Sequence, residues 1–80
     1  YSLFVDTVPD DVKRLYTESA ANDFAALAQT AHRLKGVFAM LNLVPGKQLC
    51  ETLEHLIREK DASGIEKYIS DIDAYVKSLL

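Results

Sequence analysis

Apolar residues recur along this chain at alternating steps of three and four, the spacing of one face of an α-helix. The clearest run is Phe24, Leu27, Ala31, Leu34, Phe38 and Leu41. It predicts a helix that ends at about Leu41, with Asn42 closing it. Upstream, Val5, Val8, Val12, Leu15 and Ser19 mark a first helix from about Ser2 to Ala21. Pro9 either kinks that helix or marks a restart near Thr7. Asn22 can end it in a left-handed conformation, and Asp23 can cap the next helix. Downstream, Pro45 suits the first turn of a third helix that turns Leu49, Leu53, Leu56 and Ile57 inward. Lys47 with Glu51, and Glu54 with Arg58, have the spacing of exposed pairs one turn apart on that helix. Ser63 and Glu66 are spaced as a capping box for a last helix, which would bury Ile65, Ile69, Ile72, Val76 and Leu79. Three glycines and two prolines are too few for many hairpins. The expected fold is therefore all-α, an antiparallel up-down-up-down four-helix bundle with short loops and helices crossing at about 20°.

Eighty residues make one small domain, and nothing inside it reads as a linker or repeat. The first residue is Tyr1, so residues 1–80 are expected to be a fragment of a longer protein. No apolar run approaches the ~20 residues of a membrane span, and no signal peptide is visible. A net charge of -3 argues against a nucleic-acid module, which would normally be basic. A single cysteine, Cys50, leaves no internal disulfide and fits a reducing compartment. It is expected to pack against the core.

Charge placement changes the picture more than the total does. From Phe24 to Cys50 there is no Asp or Glu, while Arg33, Lys35 and Lys47 are present. Two readings stay open: a solvated helix face, or a surface for an acidic partner or a phosphoryl group. His32 lies in this segment, about 130° around the helix from the apolar stripe. On that projection Ala25, Ala28, Lys35, Gly36 and Ala39 fall within about 60° of it, so the imidazole sits on a flat surface of small side chains beside one ammonium. No phosphate loop, nucleophilic serine motif or metal-ligand spacing is present. Met40 and the aromatic residues read as core or rim packing, not as a cofactor box. A neutral imidazole can accept a phosphoryl group near pH 7, and Lys35 one turn on can offset its charge. His32 is thus either a phosphoacceptor or a plain surface histidine. His55, with Glu51, Glu54 and Glu59 around it, reads as a surface histidine.

Ala31-His32-Arg33-Leu34-Lys35-Gly36 resembles the HxLKG signature of histidine phosphotransfer (HPt) domains, and Leu49-Cys50-Glu51-Thr52-Leu53-Glu54 resembles the LCxxLE segment that follows it in bacterial members. The likeness runs the length of the chain. It implies a four-helix bundle that carries a phosphoryl group reversibly between receiver-domain aspartates, as a phosphocarrier and not as an autonomous kinase. His32 would be the phosphoacceptor, Lys35 would neutralise phosphoryl charge, and Gly36, Ala25, Ala28, Gln29 and Ala39 would form the face on which a receiver docks. The resemblance implies no cofactor, because the divalent ion belongs to the receiver. Its partners would be response-regulator receivers, including that of a hybrid sensor kinase, with neither nucleic acid nor direct membrane contact. It implies a cytoplasmic domain whose parent protein is anchored in the inner membrane. A binding-only reading, a helical module that docks a receiver without accepting phosphate, is the alternative. Val37 and Phe38 stand where many members have small serine-like residues, so a hydroxyl that could hold the ring is absent. Gln29 and Gln48 are the candidates for that contact.

Overall fold

Four helices follow one another in the computed structural model: α1 (Ser2–Ala20), α2 (Phe24–Met40), α3 (Val44–Glu59) and α4 (Ala62–Leu79). It describes residues 2–79, with side chains from Thr7 onward. Val5, assigned to the apolar stripe of the first helix, lies outside the described side chains.

The three turns share one device. Asn22, Asn42 and Lys60 have φ of 55°, 59° and 57°, in the left-handed region. At each, the following N–H reaches back to a carbonyl of the last helical turn: Asp23 to Glu18 at 3.0 Å, Leu43 to Phe38 at 2.8 Å and Asp61 to Leu56 at 3.1 Å. These bonds satisfy carbonyls that a helix end would otherwise leave orphaned. The two asparagines were expected in this role. Lys60 was not, because nothing in a lysine announces a left-handed residue.

Each turn passes straight into the next cap. The Asp23 carboxylate accepts from the Ala26 N–H at 3.2 Å, as expected. At α4 the capping residue is Asp61, whose carboxylate accepts from the Gly64 N–H at 3.1 Å. The helix thus starts at Ala62, which places Ser63 inside the first turn and overturns the Ser63–Glu66 capping box. Pro9 does not mark a restart at Thr7; α1 runs through it.

Adjacent helices pack in a closed ring, α1 on α2, α2 on α3, α3 on α4 and α4 on α1. That is the up-down-up-down arrangement. The core contains Val8, Val12, Leu15, Leu27, Ala31, Leu34, Val37, Phe38, Cys50, Leu53, Ile57, Ile65, Ile69, Ile72 and Val76. Burying a side chain of the Val, Leu, Ile or Phe kind contributes about 1.5–3 kcal/mol, before the entropy of ordering it is counted. Phe24, Leu41, Leu49, Leu56 and Leu79 were expected inside and are only half-buried, packed against the core cluster from its edge. Met40 is 73% exposed, so it is neither core nor rim. Gly46 is buried in the first turn of α3 beneath the edge-to-face pair of Phe38 and Tyr75, whose ring centres are 5.9 Å apart.

Polar contacts tie α1 to its neighbours. Thr30 Oγ1 donates to Glu18 Oε1 at 2.8 Å, and Arg33 pairs with the buried carboxylate of Asp11 at 3.3 Å. Tyr16 donates to Asp73 at 3.0 Å, joining α1 to α4.

Candidate functional site

The apolar stripe of α2 fixes where His32 points. With Leu27, Ala31, Leu34 and Phe38 held in the core, the face opposite must meet solvent. The His32 side chain is 75% exposed there. Ala25, Gln29, Gly36 and Ala39 are also exposed. Ala28 was placed on the same open face, but it is half-buried and packs against the core cluster. A Cβ built on Gly36 would meet nothing within 4 Å, so no packing inside the domain calls for a glycine at that position.

The ring has a partner that the residue spacing did not reveal. His32 Nδ1 lies 3.2 Å from Glu54 Oε1 on α3. Lys35 Nζ donates to the other carboxylate oxygen, Oε2, also at 3.2 Å. One carboxylate thus engages both candidate site residues from the neighbouring helix. Neither Gln29 nor Gln48 supplies that contact. Gln29 instead lines an open polar cleft of about 330 Å³ between α1 and α2, with Arg14, Glu18 and Arg33. Val37 and Phe38 are buried and turned into the core, so the ring is held from α3 instead of from its own helix.

Glu54 also corrects two expectations about charge. The segment from Phe24 to Cys50 is acid-free in sequence, but the fold lays α3 beside it and brings a carboxylate to the imidazole. Among the described residues the salt bridges do not include Lys47 with Glu51 or Glu54 with Arg58. Glu54 faces α2 in place of the next turn of its own helix. His55 stays outside this arrangement, exposed and paired with Glu59 at 3.4 Å.

A family model described as the Hpt domain matches residues 1–80. The chain belongs to the histidine phosphotransfer domain family. It is similar to the phosphotransferase RcsD of Escherichia coli strain K12, with 91% identity over 80 residues. That match takes in all of this chain and 9% of the relative, so the chain spans a small part of that protein. It is also similar to the solution structure of the Escherichia coli YojN histidine-phosphotransferase (HPt) domain, with a TM-score of 0.97 and 91% identity. That likeness covers all of this chain and 69% of the other. HPt domains of phosphorelay proteins interact with receiver domains.

Cys50 lies fully buried in this HPt domain, one turn before Glu54 on α3. Burial pushes its thiol up from about 9 to about 12, reinforced by the Glu54 carboxylate. A thiol so protonated and enclosed is a packing residue. No helix among the described residues is long and apolar enough to cross a membrane.

Proposed function

We propose that His32 is the phosphoacceptor of a bacterial phosphorelay, taking a phosphoryl group from a receiver-domain aspartate and passing it to another. The observation that carries this is a 75% exposed imidazole, held by one of its two nitrogens, on a helix face that also exposes the small residues Ala25, Gly36 and Ala39. The free nitrogen can approach a phosphoaspartate in line. The transition state of phosphoryl transfer is loose, so positioning and charge neutralisation carry most of the catalysis. Lys35, whose ammonium shares the Glu54 carboxylate with the ring, is the cation three residues on from His32, and it neutralises the moving group. Gly36, Ala25, Gln29 and Ala39, with Ala28 at the edge, form the face that the receiver covers.

The divalent ion belongs to the receiver, and the domain itself holds no cofactor. Its partners are response-regulator receivers, including one within a hybrid sensor kinase, and it acts as a phosphocarrier. It touches neither nucleic acid nor membrane, and it works in the cytoplasm as part of a longer, inner-membrane protein.

Incubation with a phosphorylated receiver tests the reading. The label is expected on His32, acid-labile and base-stable as a phosphoramidate is, and absent from the His32→Ala variant. A domain that binds receivers but takes no label would instead be a docking module.

A further inference from the structure

We propose that the cleft between α1 and α2 is an anchoring site for an acidic side chain of the receiver, gripped between Arg14 and Arg33 beside the His32 face. It rests on the reading that a receiver covers that face, and it concerns the flank that the transfer chemistry does not use. The cleft encloses about 330 Å³ and is lined by Arg14, Glu18, Ala26, Gln29, Thr30 and Arg33. At about 100° per residue, Gln29 lies about 60° and Arg33 about 100° around α2 from His32. Both line the wall toward α1, whereas Lys35 reaches the other way, to Glu54 on α3. Gly36 and Ala25 lie between the two flanks, and both are exposed. A partner seated over those small residues therefore meets the mouth of the cleft without any further movement.

Arg33 is fixed from behind. One guanidinium nitrogen pairs with Asp11 at 3.3 Å, and Asp11 is only 3% exposed. The other oxygen of that carboxylate is buried and meets no donor among the described residues. Loss of Arg33 from it would strand a buried charge, so the guanidinium is held at the cleft wall. It is still about half exposed, and a guanidinium has five N–H donors. Arg14 is exposed and pairs with no carboxylate among the described residues. Glu18 is the one acid in the lining, and its Oε1 already accepts from Thr30 at 2.8 Å. With Asp11 counted, the empty cleft is neutral, so net charge is not what draws a ligand in. Unfilled guanidinium donors do. A carboxylate is planar and matches the arginine fork with two parallel bonds, and the Gln29 amide can add a third donor. A basic side chain in the same place would meet two like charges.

The test reads affinity apart from chemistry. Isolated, unphosphorylated receiver domains of response regulators are titrated onto the domain in a calorimeter. Arg14→Glu is expected to raise Kd about tenfold or more, and Arg14→Lys by less, since lysine keeps the charge without the fork. Arg14 is exposed, so both variants should melt within a few degrees of wild type; Arg33 is left in place because its loss would strand Asp11. Lys67→Glu makes the same reversal of charge on α4, which does not pack against α2, and is expected to keep Kd within about twofold. Reversing the matching acid of the receiver to arginine should weaken binding to wild type and restore binding to Arg14→Glu. An unchanged Kd for Arg14→Glu overturns the proposal, and so does an equal rise for Lys67→Glu, which would make the effect one of overall charge. Arg14 and Arg33 side-chain NMR signals that move with millimolar inorganic phosphate, while receiver binding ignores Arg14, would make the cleft a free-anion site and also overturn it. Absence of binding by any receiver removes the occupant and the proposal with it. If receivers bind but no label reaches His32, the phosphoacceptor reading fails, and a raised Kd for Arg14→Glu still supports the anchor.

Discussion

Two glycines on neighbouring helices have opposite reasons to be glycine. At Gly36 an added Cβ meets open space, and the residue is exposed. A glycine inside a helix costs roughly 0.5–1 kcal/mol against alanine, so its presence points to something outside the domain, the close approach of a partner. Gly36→Leu is accordingly expected to hold or raise the melting temperature, to cut transfer from a receiver sharply, and to spare phosphorylation by phosphoramidate, which needs no flat docking surface. Unfolding of that variant would make the glycine structural; no change in any of the three measurements would move the docking face elsewhere. At Gly46 an added Cβ would lie 2.8 Å from Phe38 Cγ and 2.8 Å from Tyr75 Cε2. Both rings belong to an edge-to-face pair and have little room to retreat. Gly46→Ala is expected to destabilise by about 1–3 kcal/mol in a urea titration, although alanine is the better helix former. Gly36 could be read from a helical projection alone. Gly46 could not, because what crowds it comes from two other helices.

The helices themselves were legible because their signals are local. A three-four stripe and an Asn-Asp turn act over a few residues, and α2 follows them closely, capped by Asp23 and closed through Asn42. Competition between local signals is what misled at the start of α4. Ser63 and Glu66 have capping-box spacing, but the left-handed turn at Lys60 brings the chain into helical register earlier, and Asp61 takes the cap. Asp61→Ala is expected to cost about 1 kcal/mol of stability, the usual loss for a capping carboxylate, while Ser63→Ala changes it by a few tenths at most. Equal losses in thermal melts of the two variants would restore the box. The same limit of local reading hid Glu54. Its spacing to Arg58 suggests a pair along α3, yet the ring of helices offers it His32 and Lys35 across a seam, and a carboxylate with two better-placed donors leaves the third. The site's histidine and lysine were thus visible in sequence, and the group that joins them was not.

At the scale of the whole bundle, Cys50 reports on everything packed around it. It is fully buried and protonated, with its thiol pushed up from about 9 to about 12, chiefly by desolvation and then by the Glu54 carboxylate. Alkylation requires the thiolate, so reagent must wait for the domain to open. The same shift couples stability to alkaline pH. Between roughly pH 9 and 12 the unfolded chain gives up the Cys50 proton while the folded one keeps it. The unfolded state then binds fewer protons than the native state, so unfolding free energy must fall as pH rises through that window. Below the unfolded value both states are protonated and the contribution is constant. Tyr16 shifts in the same direction, but it is 45% exposed and adds less. Lysines also begin to titrate there, and a single curve would mix all of these. The difference between wild type and Cys50→Ala separates the thiol from the rest. Urea titrations of both at pH 7.5 and pH 10 are expected to show the alanine variant weaker at the lower pH, because it leaves a small cavity, and the gap narrowing at the higher pH. A gap that stays constant would mean that Cys50 is exposed to solvent often enough to ionise in the native state, and then native-state alkylation should be fast as well.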